Sequence, residues 1–104
     1  MDFKEIKDGV INNANRYGEV HGVKIDQDFA ILKLYEEVGE VAQAILIHQK
    51  KSRPEKFVSE AESQEMVAKE LADVVGMCMV NAHLLGIDLE KAILKKWLKK
   101  DLPS

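Results

Sequence analysis

The stretch Leu34-Tyr35-Glu36-Glu37-Val38-Gly39-Glu40-Val41-Ala42-Gln43-Ala44-Ile45 decides the fold, together with a later one that answers it, Lys69-Glu70-Leu71-Ala72-Asp73-Val74-Val75. Wound at about 100° per residue, the first segment sets Glu37 and Glu40 on the face that carries Ala30, Leu34, Val41 and Ala44. The second sets Glu70 and Asp73 among Met66, Val67, Val74 and Met77. Each segment therefore places an acidic i, i+3 pair in the stripe that a globular helix turns to the core. Two like charges about 6 Å apart repel by roughly 3 kcal/mol at an effective dielectric near 20, and burial adds several kcal/mol per ion. Such a cluster takes up protons or holds cations. Carboxylate oxygens are hard ligands, so Mg²⁺ or Mn²⁺ suits them better than Zn²⁺, which calls for His or Cys in the stripe. An isolated E-x-x-E is ordinarily a solvated helix face, and the common helical phase of the two pairs is what argues against that here.

Around these two segments the chain reads as helices throughout. Phe3, Ile6, Val10, Ala14 and Tyr17 recur at three- and four-residue steps, predicting a first helix from Asp2 to about Tyr17, where Gly18 and Gly22 break the pattern. Asp26 or Asp28 caps a second, longer helix to about Gln49. The polar, basic, proline-interrupted run from Lys50 to Lys56 is a loop, and a third helix resumes near Ser59 or Ser63, Ser59 and Glu62 having capping-box spacing. It stops at Gly86, and Asp88 caps a fourth helix through Lys100, with Leu89, Ala92, Ile93 and Trp97 as its apolar positions. Lysines 95, 96, 99 and 100 load its last turns, where cations complement the helix dipole. Nothing alternates with the period of a strand. The expectation is an all-α, four-helix unit with two long central helices, both contributing acids to one cleft.

Length and composition narrow the function. A chain of 104 residues with 46% hydrophobic content reads as one domain, residues 1–104, with a core small enough that self-association is expected to add stability. A net charge of −3 argues against a binder of nucleic-acid polymers, whose footprint is a basic surface. The lone Cys78 forms no internal disulfide and suits a reducing compartment, and no signal-peptide or membrane-spanning pattern occurs, so a cytoplasmic protein without a membrane partner is expected.

The pattern Glu36-Glu37-x-x-Glu40 followed by Glu70-x-x-Asp73 resembles the signature of the MazG-like all-α nucleotide pyrophosphohydrolases, and the flanking Lys33-Leu34 and Gly86-Ile87-Asp88-Leu89 agree. The resemblance covers about Phe29 to Lys100. It implies that Glu37, Glu40, Glu70 and Asp73 ligate Mg²⁺, with Glu36 a supporting acid at the edge. It implies hydrolysis of a nucleoside triphosphate between the α- and β-phosphates, giving the monophosphate and pyrophosphate, by a homodimer or homotetramer. Lys96 fits the family's lysine, and His21 and Asn15 sit where the family tends to place base-contacting groups. Phosphoribosyl-ATP hydrolysis is a related alternative.

The chemistry asks for these residue types in its own right. Cleaving a phosphoanhydride requires neutralising phosphate oxygens and activating water near neutral pH, which clustered divalent cations do. Glu37 or Glu40 is placed to take the water's proton. Lys33, one turn before Glu37, either reaches a phosphate or offsets the acids. Asn81, on the inward face of the third helix, either reads a base edge or is a satisfied buried polar group. For His48 and His83 the spacing gives no metal-ligand pattern, and packing is the simpler role. The contrasting reading is a non-catalytic helical assembly or regulatory module whose acids hold structural ions.

Overall fold

A computed structural model describes residues 1–100, so residues 101–104 of the expected domain lie outside the described residues. Four helices follow one another: α1 (Phe3–His21), α2 (Gln27–His48), α3 (Glu60–Leu84) and α4 (Leu89–Trp97), with one 3₁₀ turn at Pro54–Lys56 in the α2–α3 loop. No strand occurs among the described residues.

The helix starts are set by side chains that satisfy free backbone N–H groups. Asp2 accepts from Glu5 N and forms a full capping box with it, Asp26 accepts from Phe29 N, Ser59 from Glu62 N, and Asp88 from Lys91 N. α1 and α3 end at Gly22 and Gly86, whose φ angles of 65° and 69° lie in the left-handed region that a side chain disfavours.

Two ends differ from the sequence expectation. α1 runs through Gly18 to His21, four residues further than predicted, because Gly18 is a packing residue: a Cβ there would lie 2.7 Å from the Val23 carbonyl oxygen and 2.8 Å from Ile25 Cγ1. The chain after α1 folds back onto that bare backbone, and Val23 N donates to Gly18 O at 2.9 Å. α4 stops at Trp97 rather than Lys100, since Lys99 takes φ 54°. Lys99 and Lys100 thus lie beyond the helix.

α2 and α3 pack along their length and run antiparallel. The Asn81 amide nitrogen donates to Ala30 O at 2.9 Å, and His48 Nδ1 meets Ser63 Oγ at 2.7 Å near the opposite end. This register fixes which acids meet. Between the two polar ties, Glu37 and Glu40 come opposite Asp73 and Glu70. α1 lies across α3, and Ile11, Ala30 and Val80 form the centre of a small core with Val10, Ala14, Ile25, Met77 and Leu84 around it.

α4 turns 113° away from α3 and has no buried residue. Trp97, one of the apolar positions that helical spacing marks on the fourth helix, is 78% exposed in this chain. The radius of gyration is 16.2 Å, against about 13 Å for a compact chain of this length. No large side chain is fully buried among the described residues.

Candidate metal centre and cleft

Glu37 on α2 and Glu70 on α3 take their places by the helical phase that puts Ala30 and Ala44, both buried, on the Glu37 face. Glu37, Glu40, Glu70 and Asp73 each offer a carboxylate oxygen, and these four atoms lie within 4.8 Å of one another. Burial is graded across the cluster: Glu37 is buried, Glu40 and Glu70 are half-buried, and Asp73 is exposed. The second stripe is correspondingly less inward than its spacing suggested, since Met66 is exposed as well.

The electrostatics follow from that crowding. Burial pushes the Glu37 carboxyl up to about 7, and the neighbouring Glu40 and Asp73 charges and a hydrogen bond with Glu40 add to it, against a smaller opposing pull from Lys33. Glu70 is raised too, first by its hydrogen bond with Glu40, then by desolvation and the Glu40 and Asp73 charges. Glu37 Oε2 and Glu70 Oε2 are both buried without a hydrogen-bond partner. Orphaned carboxylate oxygens are costly in a folded protein, and two facing each other across a helix pair are what a coordinated ion would satisfy. The donor set is all hard oxygen, so the fit is to a divalent cation of the Mg²⁺ or Mn²⁺ kind.

The remaining candidates divide by position. Lys33 Nζ contacts Glu36 Oε1 at 2.5 Å and Glu37 Oε1 at 3.7 Å. Its pKa is raised, mainly by the Glu36 hydrogen bond. Glu36 itself is exposed and outside the four-oxygen cluster, so its contact with the site is through Lys33. Asn81 is a satisfied polar group: its amide nitrogen donates to Ala30 O and to Met77 O, tying α3 to α2. His21 is exposed at the end of α1 with its ring 4.6 Å from that of Tyr17. Lys96 is exposed on α4. His21, Asn15, Asn81 and Lys96 do not line the cleft beside the carboxylates.

A cleft of about 330 Å³ opens beside the carboxylates, with Lys33, Glu37 and Asp73 in its lining. α1 contributes Val10, Asn13, Ala14 and Tyr17 to the wall, and α2 contributes Phe29. Sequence reasoning counted Tyr17 only as a packing position and passed over Asn13 and Phe29. The available signal was that Asn13 and Tyr17 are one helical turn apart beside the apolar stripe, but only the packing of α1 on α3 brings them to the acids.

Two helices that bring opposed acidic pairs together beside a cleft make this an all-α protein with a carboxylate cluster able to hold a cation. The family model for the MazG nucleotide pyrophosphohydrolase domain matches residues 27–101, and the chain belongs to that family. No curated protein and no solved structure matches the chain. Among the described residues no single helix is long and apolar enough to cross a membrane.

Proposed function

We propose that residues 1–104 form one Mg²⁺-dependent nucleoside triphosphate pyrophosphohydrolase domain, with Mn²⁺ able to replace Mg²⁺, cleaving between the α- and β-phosphates. The observation that carries this reading is the convergence of four carboxylates from two helices within 4.8 Å, at a cleft that also presents one ammonium group, Lys33. Glu37, Glu40, Glu70 and Asp73 would hold the cation, which supplies neutralisation of phosphate oxygens and a more acidic water. Water adds across the α–β bridge, so that one P–O bond breaks, one forms and one proton is released. Glu37 or Glu40 accepts that proton; for Glu37 the role fits a carboxyl whose basicity burial has raised. Lys33, held at the cleft by Glu36, binds a phosphate oxygen. His21, Asn81 and Lys96 stand outside the cleft and receive no part in this chemistry.

The working form is a homodimer or homotetramer. α2 leaves Ile31, Tyr35, Val38 and Leu46 exposed on one stripe, opposite the face of Glu37, and α3 leaves Leu71 and Val75 exposed. A chain with so little buried volume gains most by covering such a stripe with a second copy. The lone Cys78 thiol suits a reducing, cytoplasmic setting.

The test is pyrophosphate release from a panel of ribo- and deoxyribonucleoside triphosphates with Mg²⁺, for the wild type and Glu40→Gln. Release by the wild type and its loss in the variant are expected. Absence of release from every nucleotide, or unchanged turnover in the variant, overturns the reading.

A further inference from the structure

The C-terminal end of α4 carries side chains that neither the acidic centre nor the helix packing uses. The run Lys95-Lys96-Trp97-Leu98-Lys99-Lys100 sets an aromatic and an aliphatic residue between two pairs of lysines. Wound at about 100° per residue, Leu89, Ile93, Leu94 and Trp97 share one face of α4. The rest of the chain half-covers Leu89 and Leu94, and the stripe then overruns that cover: at its end Trp97 and Leu98 are 78% and 57% exposed.

This end is closed by its own backbone. Leu98 N and Lys100 N both donate to Leu94 O at 3.1 Å, and Lys99 takes the left-handed φ of 54°, so the last two lysines are held beside the Trp97 turn. None of the four lysines forms an ion pair among the described residues. In a chain of net charge −3, positive charge and bare apolar surface are thus gathered at one tip.

The partner that fits such a tip is anionic at its surface and apolar just beneath. A bilayer carrying anionic lipid has both: an acyl boundary for Leu98 and the indole ring, a wet headgroup layer for the indole N–H, and a negative potential for the lysine heads. A nucleic-acid backbone would pair the lysines and offer Trp97 a base to stack on, but it leaves Leu98 and Ile93 without apolar cover. At nine residues α4 is too short to span a bilayer, and its 113° turn sets it crosswise to α3.

We infer that the end of α4 is an interfacial anchor: Trp97 and Leu98 enter the headgroup boundary of an anionic bilayer, and Lys95, Lys96, Lys99 and Lys100 pair with lipid phosphates around them. The contact is weak and reversible, as expected of a short helix without a lipid chain. It goes beyond the pyrophosphohydrolase reading and does not depend on it. It departs from the expectation of a protein without a membrane partner, which rested on the lack of a spanning segment; adsorption needs none.

The experiment uses Trp97 emission, since it is the chain's one tryptophan, together with co-sedimentation of the whole chain. The vesicles are phosphatidylcholine alone or an equimolar mixture with phosphatidylglycerol, without metal or nucleotide. A blue shift and sedimentation with the mixed vesicles are expected, with partitioning about tenfold or more weaker on phosphatidylcholine alone and in the Lys99→Gln, Lys100→Gln double variant. Both lysines lie beyond α4, so the variant keeps its far-UV helical signal. Unchanged emission on mixed vesicles, or equal partitioning on the two vesicles or by the two proteins, would overturn the inference. So would a blue shift that grows with protein concentration in vesicle-free buffer, which assigns the tip to a second copy, or a response to a mixed-sequence single-stranded oligonucleotide and not to vesicles.

Discussion

Replacing Glu37 by Gln removes one charge from the centre of the cluster and leaves the side chain's shape nearly unchanged. With carboxylate oxygens within 4.8 Å of one another, Glu37 repels each of Glu40 and Asp73 by about 3 kcal/mol at an effective dielectric of 20. Its attraction to Lys33 Nζ at 3.7 Å returns about 4 kcal/mol on the same scale. These charge–charge energies alone favour the variant by about 2 kcal/mol in metal-free protein at pH 8.5, roughly 8–16 °C in melting temperature, and the burial penalty of the charge adds to that difference. At pH 5 the wild-type carboxyl is already protonated, so the difference should vanish. Mg²⁺ reverses the order: the wild type gains about 2.7 kcal/mol at a hundredfold excess over its Kd, and the variant, short of a ligand, gains little. The assay is thermal unfolding of both proteins at equal concentration, at pH 5 and 8.5, with EDTA or with Mg²⁺. A metal-free variant that melts below the wild type at pH 8.5, or one that keeps the full Mg²⁺ response, would refute the reasoning.

Other consequences are equally open to measurement. Because the Glu37 carboxyl binds its proton more tightly in the folded protein than in the unfolded chain, metal-free stability should be greatest below about pH 4.5 and be lost as the pH rises through about 7, as far as this group is concerned. Chemical denaturation across pH 5 to 8.5 in EDTA tests this, and a rise in stability over that window from this cluster would contradict it. Gly18→Ala should destabilise by about 1–3 kcal/mol through overpacking against Val23 O and Ile25, despite the better helix propensity of Ala, as read by urea midpoints. Tyr35→Asp, on the exposed α2 stripe, should shift the assembly toward monomer in light scattering while the far-UV helical signal is kept.

How much was legible in the sequence differed by residue. The phase of Glu37 and Glu40 against Ala30 and Ala44 needed only the helical period, and the caps Asp26, Ser59 and Asp88 needed only local chemistry. The end of α1 did not follow from local chemistry, because Gly18 continues the helix for the sake of a contact with residues 23 and 25 that propensity does not contain. Asn81 had two readings that only the antiparallel register could separate, by bringing Ala30 O to its amide. Asn13 and Phe29 gained meaning from the crossing of α1 over α3, a long-range fact with no mark in the spacing of either residue.

The most direct measurement is anomalous diffraction from crystals soaked in Mn²⁺. An ion peak in coordination contact with Glu37, Glu40, Glu70 and Asp73 is the result predicted by two helices sharing one metal-holding hollow. Well-ordered carboxylates with Mn²⁺ bound elsewhere, or at no defined position, would contradict it.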